Sequence, residues 1–318
     1  MKSRMFSRTI KNHLRGVLLE FSSDIQDTDV RECFERDACI MGGAIVSLYT
    51  NTDVNDYDIY FKTKESAIKF VRYAIHQRKK SFETPNNNQL SVSETVIKNI
   101  RNEEEDRLII SKWPSKPADE DRLIIARSGK LRDTDSRFPL KAITNNAISF
   151  GGKIQVIFRF WGDYEKLRRS FDFIHTQCMY DLKNNHLEVP AQAFESMLTK
   201  RLFYKGSLYP MASVIRTRKF IERGWGISAG QIFKMLLQVN NIDLSCRATL
   251  LEQIMGVDLL YIQSFLQQLK DLDDTRDDYG KLVMSLLDKI FDEEEADTIT
   301  EDSEDTLDDA AASVILTY

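Results

Sequence analysis

The sequence predicts an α+β protein: an N-terminal mixed sheet with helices, then a helical part, then an acidic tail. Three observations carry this. Residues 38–82 run as short strand, glycine turn, short helix, strand, amphipathic helix. Two apolar strands, "AITNNAISF" and "KIQVIFRF", meet at Gly151-Gly152 as in a tight turn. From residue 190 onward the apolar spacing is helical, punctuated by Pro190, Gly206, Pro210, Gly224 and Gly256. The expected domains are 1–188, 189–291 and a tail over 292–318.

In chain order, "MKSRMFSRTIKNHLRGVLLEF" reads as a basic amphipathic helix, its apolar stretch being too short for a secretory signal. Residues 24–37 are helical, with Ile25, Val30, Cys33 and Phe34 on one face. "ACIM" is a short buried strand ended by Gly42-Gly43, "AIVSLYTN" a short helix and "YDIYF" a strand. Thr63 caps a helix whose buried side is Ala67, Phe70, Val71, Ala74 and Ile75. The string "EDRLII" occurs at 105–110 and again at 120–125, each copy a short strand, which predicts a hairpin insertion. "GDYEKLRRS" is a short helix or turn, and "FDF" at 171–173 reads as a strand carrying one acid.

The net charge of −5 conceals an uneven distribution. Residues 292–309 hold eleven acids and no base, so the remainder carries −5 + 11 = +6. Such a run is a solvated tail, with competition for a basic groove as the alternative. No apolar run reaches the ~18 residues of a membrane span, so no membrane partner and a cytoplasmic location are expected. Cys33, Cys39, Cys178 and Cys246 lack paired spacing, as do the four histidines, which argues against a disulfide frame or a zinc site.

The chemistry concentrates near the glycine pair. Side chains alternate along a strand, so Asp56 and Asp58 share one face while Tyr57 and Ile59 face a core. Neighbouring carboxylates repel and raise each other's pKa. A hard cation relieves this, and Mg²⁺ takes one or two carboxylates together with substrate phosphates. A second ion needs a further acid, which Asp172 offers. Gly42 and Gly43, without β-carbons and leading into a helix, let backbone N–H groups approach a triphosphate. Ser47 lies one turn further on, facing the same phosphates or back-bonding to its helix. Asp53 is out of phase and reads as a turn residue. His175 reads as structural.

This pattern (Gly-Gly, a short helix, acid–apolar–acid–apolar, then a later apolar–acid–apolar stretch) resembles the DNA polymerase beta-like nucleotidyltransferase superfamily. The superfamily includes CCA-adding enzymes, poly(A) polymerases, antibiotic nucleotidyltransferases and toxin-like members. "TNNAISFGGKIQVIFRFWGD", "SFDFIHT" and "YPMASVIRTRKFIERGW" also look like a group of phage-encoded proteins, which would place the chain in a host cytoplasm. The resemblance implies that Gly42 and Gly43 hold an NTP, ATP among them. Asp56, Asp58 and Asp172 would bind two Mg²⁺, or Mn²⁺ in their place, and Asp172 would activate the attacking hydroxyl. The glycine pair matches the tRNA-processing branch, but that branch's following Arg-Asp pair falls here in apolar "IVSLYT".

The basic stretch "SVIRTRKFIERGWG" places Arg216, Lys219 and Arg223 on one helical stripe, with Val214, Ile215 and Phe220 or Ile221 packed inward. The stripe would hold a triphosphate or an RNA backbone, and Trp225 would stack on a base or cap a core. Lys200, Arg201, Lys205 and Lys234 extend the patch. The leading expectation is a metal-dependent nucleotidyltransferase moving a nucleoside monophosphate from NTP to an acceptor hydroxyl. RNA or tRNA is the first acceptor class, ahead of protein or a small molecule. The alternatives are a toxin- or defence-type enzyme modifying host tRNA or protein, and an inactive member that binds nucleotide or nucleic acid.

Overall fold

Helix α1 (Lys2–Ser23) turns Ile10, Leu14, Leu18 and Phe21 inward, about one residue per turn, and all four are buried. The computed structural model describes residues 2–82, 108–112, 121–125, 129–130, 136–143 and 147–242, with 253, 281 and 285. Asp27 caps helix α2 (Thr28–Asp37) by accepting from Val30 N–H, so this helix starts later than residue 24. Strand β1 (Ala38–Met41), helix α3 (Gly43–Thr50), strand β2 (Tyr57–Phe61) and helix α4 (Lys64–Phe82) follow. Thr63 Oγ1 accepts from Ser66 N–H at the start of α4, the cap that its position predicts.

The insertion holds strands β3 (Leu108–Lys112) and β4 (Asp121–Ile125), paired antiparallel from Leu108↔Ile125 to Lys112↔Asp121. The second "EDRLII" thus lies against the end of the first, as the duplication predicts. Strands β5 (Gly129–Lys130), β6 (Leu140–Ile143), β7 (Ala147–Phe150) and β8 (Ile154–Trp161) come next. "AITNNAISF" is not one strand. It is divided between β6 and β7, which pair antiparallel, in keeping with the poor strand propensity of Asn145-Asn146. The β7–β8 turn lies at Gly151-Gly152, as expected, with Gly152 at φ 68°. Helix α5 (Tyr164–Arg168), a 3₁₀-helix (Ile174–Gln177), strands β9 (Met179–Asp181) and β10 (His186–Glu188) and helix α6 (Ala191–Thr199) complete the first part.

Among the described residues, eight strands form one mixed sheet in the order β10-β9-β1-β2-β8-β7-β6-β5. Only β2 and β8 pair parallel in it. The α+β class expected from the sequence is the class observed. One face is covered by Phe21, Phe34, Phe61, Phe70 and Phe150, whose ring centroids lie 5.1–6.1 Å apart from one ring to the next. The other face packs Cys39, Met41, Tyr60, Leu167 and Met179 with Ile157, Phe160, Tyr164 and Phe171. Alternation along β2 divides its side chains between these faces: Tyr57, Ile59 and Phe61 to the first, Asp58 and Tyr60 to the second.

A buried carboxylate ties α2 to α4. Asp37 accepts from Arg36 Nη2 (2.9 Å), Thr63 Oγ1 (2.9 Å) and Ser66 Oγ (2.5 Å). Burial raises its pKa, but hydrogen bonds from Arg36, Ser66 and Thr63 outweigh this and hold it below the ordinary value. Its contribution is therefore present above about pH 3.8 and lost as pH falls through the lower folded value. Asp37→Ala leaves two hydroxyls without their acceptor and is expected to cost about 1–3 kcal/mol. Urea unfolding at pH 7 should show this loss, and the difference from wild type should shrink near pH 3.

The chain divides into two compact units, Met1–Thr199 and Lys200–Tyr318. The division expected near residue 188 falls later because α6 packs within the first unit, Phe194 meeting Tyr49 of α3 at 5.9 Å. The second unit contains strands β11 (Arg201–Leu202) and β12 (Gly226–Ile227), paired parallel, and helices α7 (Pro210–Glu222) and α8 (Ala229–Val239). The inward side of α7 differs from the expected one. Ala212, Ser213 and Thr217 are buried, whereas Val214 and Ile221 are 42% and 51% exposed. Ser213 and Thr217 tolerate burial because their hydroxyls donate to the carbonyls of Tyr209 and Ser213. The helices expected over 247–256, 258–270 and 280–291, and the tail over 292–318, lie outside the described residues save three positions.

Candidate active site

The site is built where β1 ends, α3 begins and β2 starts. Met41 is the antiparallel register partner of Asp58, so the residue after Met41 stands beside that carboxylate. That residue is Gly42, at φ 84° and ψ −143°, a conformation essentially closed to other residues. A β-carbon there would lie 3.3 Å from Phe171 Cε1 and 3.5 Å from Asp58 Oδ2. Gly42 is the N-cap of α3, and no side chain caps this helix. The first N–H groups of α3 are therefore left for another acceptor, at the end of the helix that attracts anions. Gly43 is exposed, with nothing within 4 Å of where its β-carbon would be.

Asp56 acts on Asp58 through its charge. Asp58 is half-buried on β2 and Asp56 is exposed just before it. Burial, and then the charge of Asp56, push the Asp58 carboxyl up to about 8. Lys153 holds the approach in place: its carbonyl accepts from Tyr57 N–H at 2.7 Å and its ammonium donates to the Val54 carbonyl at 2.7 Å. Behind the strand, His13 Nε2 lies 2.7 Å from the Tyr57 hydroxyl oxygen. Ser47 is half-buried one turn into α3. Asp53 is exposed in the loop 51–56, as expected of a turn residue.

Asp172 differs from the expectation. It sits in a bend and Phe173 makes an isolated β-bridge just before the 3₁₀-helix, so residues 171–173 are not a continuous strand. The side-chain amide of Gln177 donates to the carbonyls of Arg168 (3.2 Å) and Phe171 (3.5 Å). Asp172 is 3% exposed. Among the described residues, no three His, Cys, Asp or Glu side chains are grouped to hold one metal ion. The structure thus brings Asp56 and Asp58 together without making Asp172 a third member.

Two further residues border the pair. Phe171 packs over Gly42 and stands 5.8 Å from the Tyr60 ring. Gln155 is the parallel register partner of Asp58 and is half-buried on the same face, with its amide 3.5 Å from Ser149 Oγ. The sequence reads Phe171 only as the apolar flank of Asp172, and it does not disclose Gln155 because its register depends on the parallel pairing of β2 and β8. His175 is buried and burial pushes its pKa down to about 3, so it stays neutral. Burial also pushes Cys39 and Cys178 up to about 12, away from thiolate chemistry.

The basic stripe lies on the second unit. Arg216 and Lys219 are half-buried and Arg223 is exposed at the end of α7. Arg218 pairs with Glu222 at 2.8 Å. Trp225 is 7% exposed and lies 6.0 Å from the Phe220 ring, so it caps a core and offers no open stacking face. Lys200, Arg201, Lys205 and Lys234 are exposed in the same unit.

Fold and site together define an α+β protein with an uncapped glycine turn set against a pair of carboxylates. The chain belongs to the Gabija anti-defense 2 family, whose model matches residues 13–200. A relative described as Gabija anti-defense 2, from Bacillus phage SPbetaL7, is 24% identical over 286 residues. That match covers 88% of this chain and 57% of the relative, so the chain spans little more than half of the relative's length. The phage-encoded likeness expected from the sequence is thereby met. Among solved structures, the Bacillus stearothermophilus CCA-adding enzyme in complex with CTP is similar with a TM-score of 0.38 and 12% identity, over 86% of this chain and 52% of that one. The Thermotoga maritima CCA-adding enzyme complexed with tRNA gives 0.37 and 12%, over 86% and 71%. Among the described residues, no helix is long and apolar enough to cross a membrane.

Proposed function

We propose that the chain is a metal-dependent nucleotidyltransferase that moves a nucleoside monophosphate from an NTP to an acceptor hydroxyl. The observation that carries this is Gly42: its conformation brings the uncapped start of α3 against Asp58, which already faces Asp56. An anion-attracting helix end and a pair of carboxylates are contradictory neighbours unless a cation and a phosphate sit between them. The residues fit Mg²⁺ on this ground, since Asp58 resists ionisation beside Asp56 and both offer hard oxygen ligands. Asp56 and Asp58 would hold it; when bound, Mg²⁺, or Mn²⁺ in its place, supplies charge neutralisation at the transferring phosphoryl group. A second ion would have to draw on Asp172 after that side chain rearranges, since no three acids are grouped among the described residues.

The chain's own groups do the positioning. The N–H groups at Gly43 and the next residues of α3 would bind the triphosphate, with the Ser47 hydroxyl one turn behind. Phe171, packed over Gly42, would shield that end of the site from water, and Gln155, the register partner of Asp58, would offer a neutral amide. Arg216, Lys219 and Arg223 would grip the nucleotide or the acceptor backbone. The acceptor is RNA or a host protein, and the family description supports a role against the Gabija defence that it names. The location would be the host cytoplasm.

A second reading is favoured by the missing third acid: a member that binds nucleotide without transferring it. Labelled NTPs with Mg²⁺ and either total RNA or host-cell protein separate these readings. Label on RNA or on protein supports transfer and names the acceptor. Measurable binding with no transfer to either supports the second reading. Arg216→Ala with Arg223→Ala is expected to weaken binding of NTP or acceptor, with a smaller salt dependence than wild type; isothermal titration at two salt concentrations checks it.

A further inference from the structure

We propose that helix α1 is a phosphodiester-binding rail of the first unit, formed by Arg8, Lys11 and Arg15. Their i, i+3, i+7 spacing sets them on one stripe, and position 4, one turn earlier, is also Arg. Over its 22 residues α1 holds five bases (Lys2, Arg4, Arg8, Lys11, Arg15) and one acid, Glu20. Glu20 is already paired, with Arg137. Arg8 and Arg15 are exposed and Lys11 half-buried, and among the described residues none of the three makes an ion pair.

The helix is fastened at both flanks of the site elements. The Ser7 hydroxyl bonds Tyr49 of α3, and His13 meets Tyr57, the residue between Asp56 and Asp58. Arg15 stands close enough to Tyr180 of β9 to oppose, by its charge, the rise that burial imposes on that hydroxyl. A basic amphipathic helix also suits an anionic membrane surface. That occupant is disfavoured here, because Ile10, Leu14, Leu18 and Phe21 are 0–3% exposed and committed to the core. Among the described side chains of α1, Leu19 is the one exposed large apolar residue; the rest of the outward side is charged and polar, which fits a polyanion with evenly spaced phosphates. The binding surface stands without the transfer reaction; only naming the bound strand as acceptor rests on that reading.

The test uses the full chain, a fluorescein-labelled 20-nucleotide single strand as RNA and as DNA, and anisotropy titrations across a KCl series. Neither NTP nor divalent metal is present, so failure of the transferase reading leaves the outcome untouched. Wild type is expected to bind at least one strand. Replacing Arg8, Lys11 and Arg15 together by Ala should flatten log Kobs against log[KCl] by about 2, at ~0.7 for each phosphate that is no longer neutralised. A control in which exposed Arg72, Lys141 and Arg169 are changed to Ala removes the same charge elsewhere on this unit and should leave most of the slope. The inference fails if the α1 variant keeps the wild-type slope, if the control loses as much, or if wild type binds anionic vesicles but neither strand. Matching circular dichroism of both variants and wild type excludes misfolding as the cause.

Discussion

Asp58→Asn is expected to stabilise the metal-free protein above pH 8, and to remove both its response to Mg²⁺ and its nucleotide transfer. The sign follows from the folded-state pKa. Burial first and Asp56 second push Asp58 from 3.8 up to about 8. Between these values the folded protein keeps a proton that the unfolded chain has released, so stability falls as pH rises through that window. Above about 8 the full penalty of an ionised, half-buried carboxylate beside another is present. Asn carries no charge at any of these pH values and escapes it. In wild type, Mg²⁺ should relieve the same penalty, so the melting temperature rises with Mg²⁺ and more so at pH 8.5 than at pH 6. In Asp58→Asn this rise should vanish, and transfer should fall by at least about 10²-fold, the range for deleting one preorganised electrostatic group. Thermal melts at the two pH values, each with and without Mg²⁺, check the prediction before any substrate is known. A melting temperature that Mg²⁺ raises equally in Asp58→Asn would remove the metal from this pair.

What the sequence disclosed depended on how local each cause was. "YDIYF" was legible because its acid and its buried residues alternate with period two, and β2 divides them between two faces of the sheet. The twin "EDRLII" was legible because two like strands joined by a short connection have a simple antiparallel solution, the one found. "FDF" has the same local pattern as a strand but yields only an isolated bridge at Phe173 after a bend at Asp172, with the Phe171 carbonyl bonded by the Gln177 amide. Nothing within three residues encodes that. On α7 the apolar Val214 and Ile221 seemed suited to the inside, yet Ser213 and Thr217 occupy it by satisfying their hydroxyls within the helix. Gln155 was hidden for a different reason. Its place beside Asp58 is set by the parallel pairing of β2 and β8, which share no local signal and are joined through a long insertion.

The two glycines look alike in the sequence and are expected to respond oppositely to alanine. Gly42 sits at φ 84°, and its missing β-carbon leaves the space between Phe171 and Asp58. Gly42→Ala imposes a conformation costing about 1–3 kcal/mol and a 3.3 Å approach that the Phe171 ring must yield to. For a unit of this size that is a fall of roughly 2–12 °C in melting temperature. Gly43 lies in helical backbone with open space around its β-position. Gly43→Ala is therefore expected to keep the melting temperature or raise it slightly, since Ala is the better helix former by up to about 1 kcal/mol. That open space is where a phosphate must come close to the α3 N–H groups. The added methyl should weaken NTP binding while the fold is unharmed, which calorimetry alongside a thermal melt will read directly. If Gly43→Ala binds NTP as wild type does, the helix start is not the phosphate cradle, and Gly42 is then a glycine for reasons of backbone and packing alone.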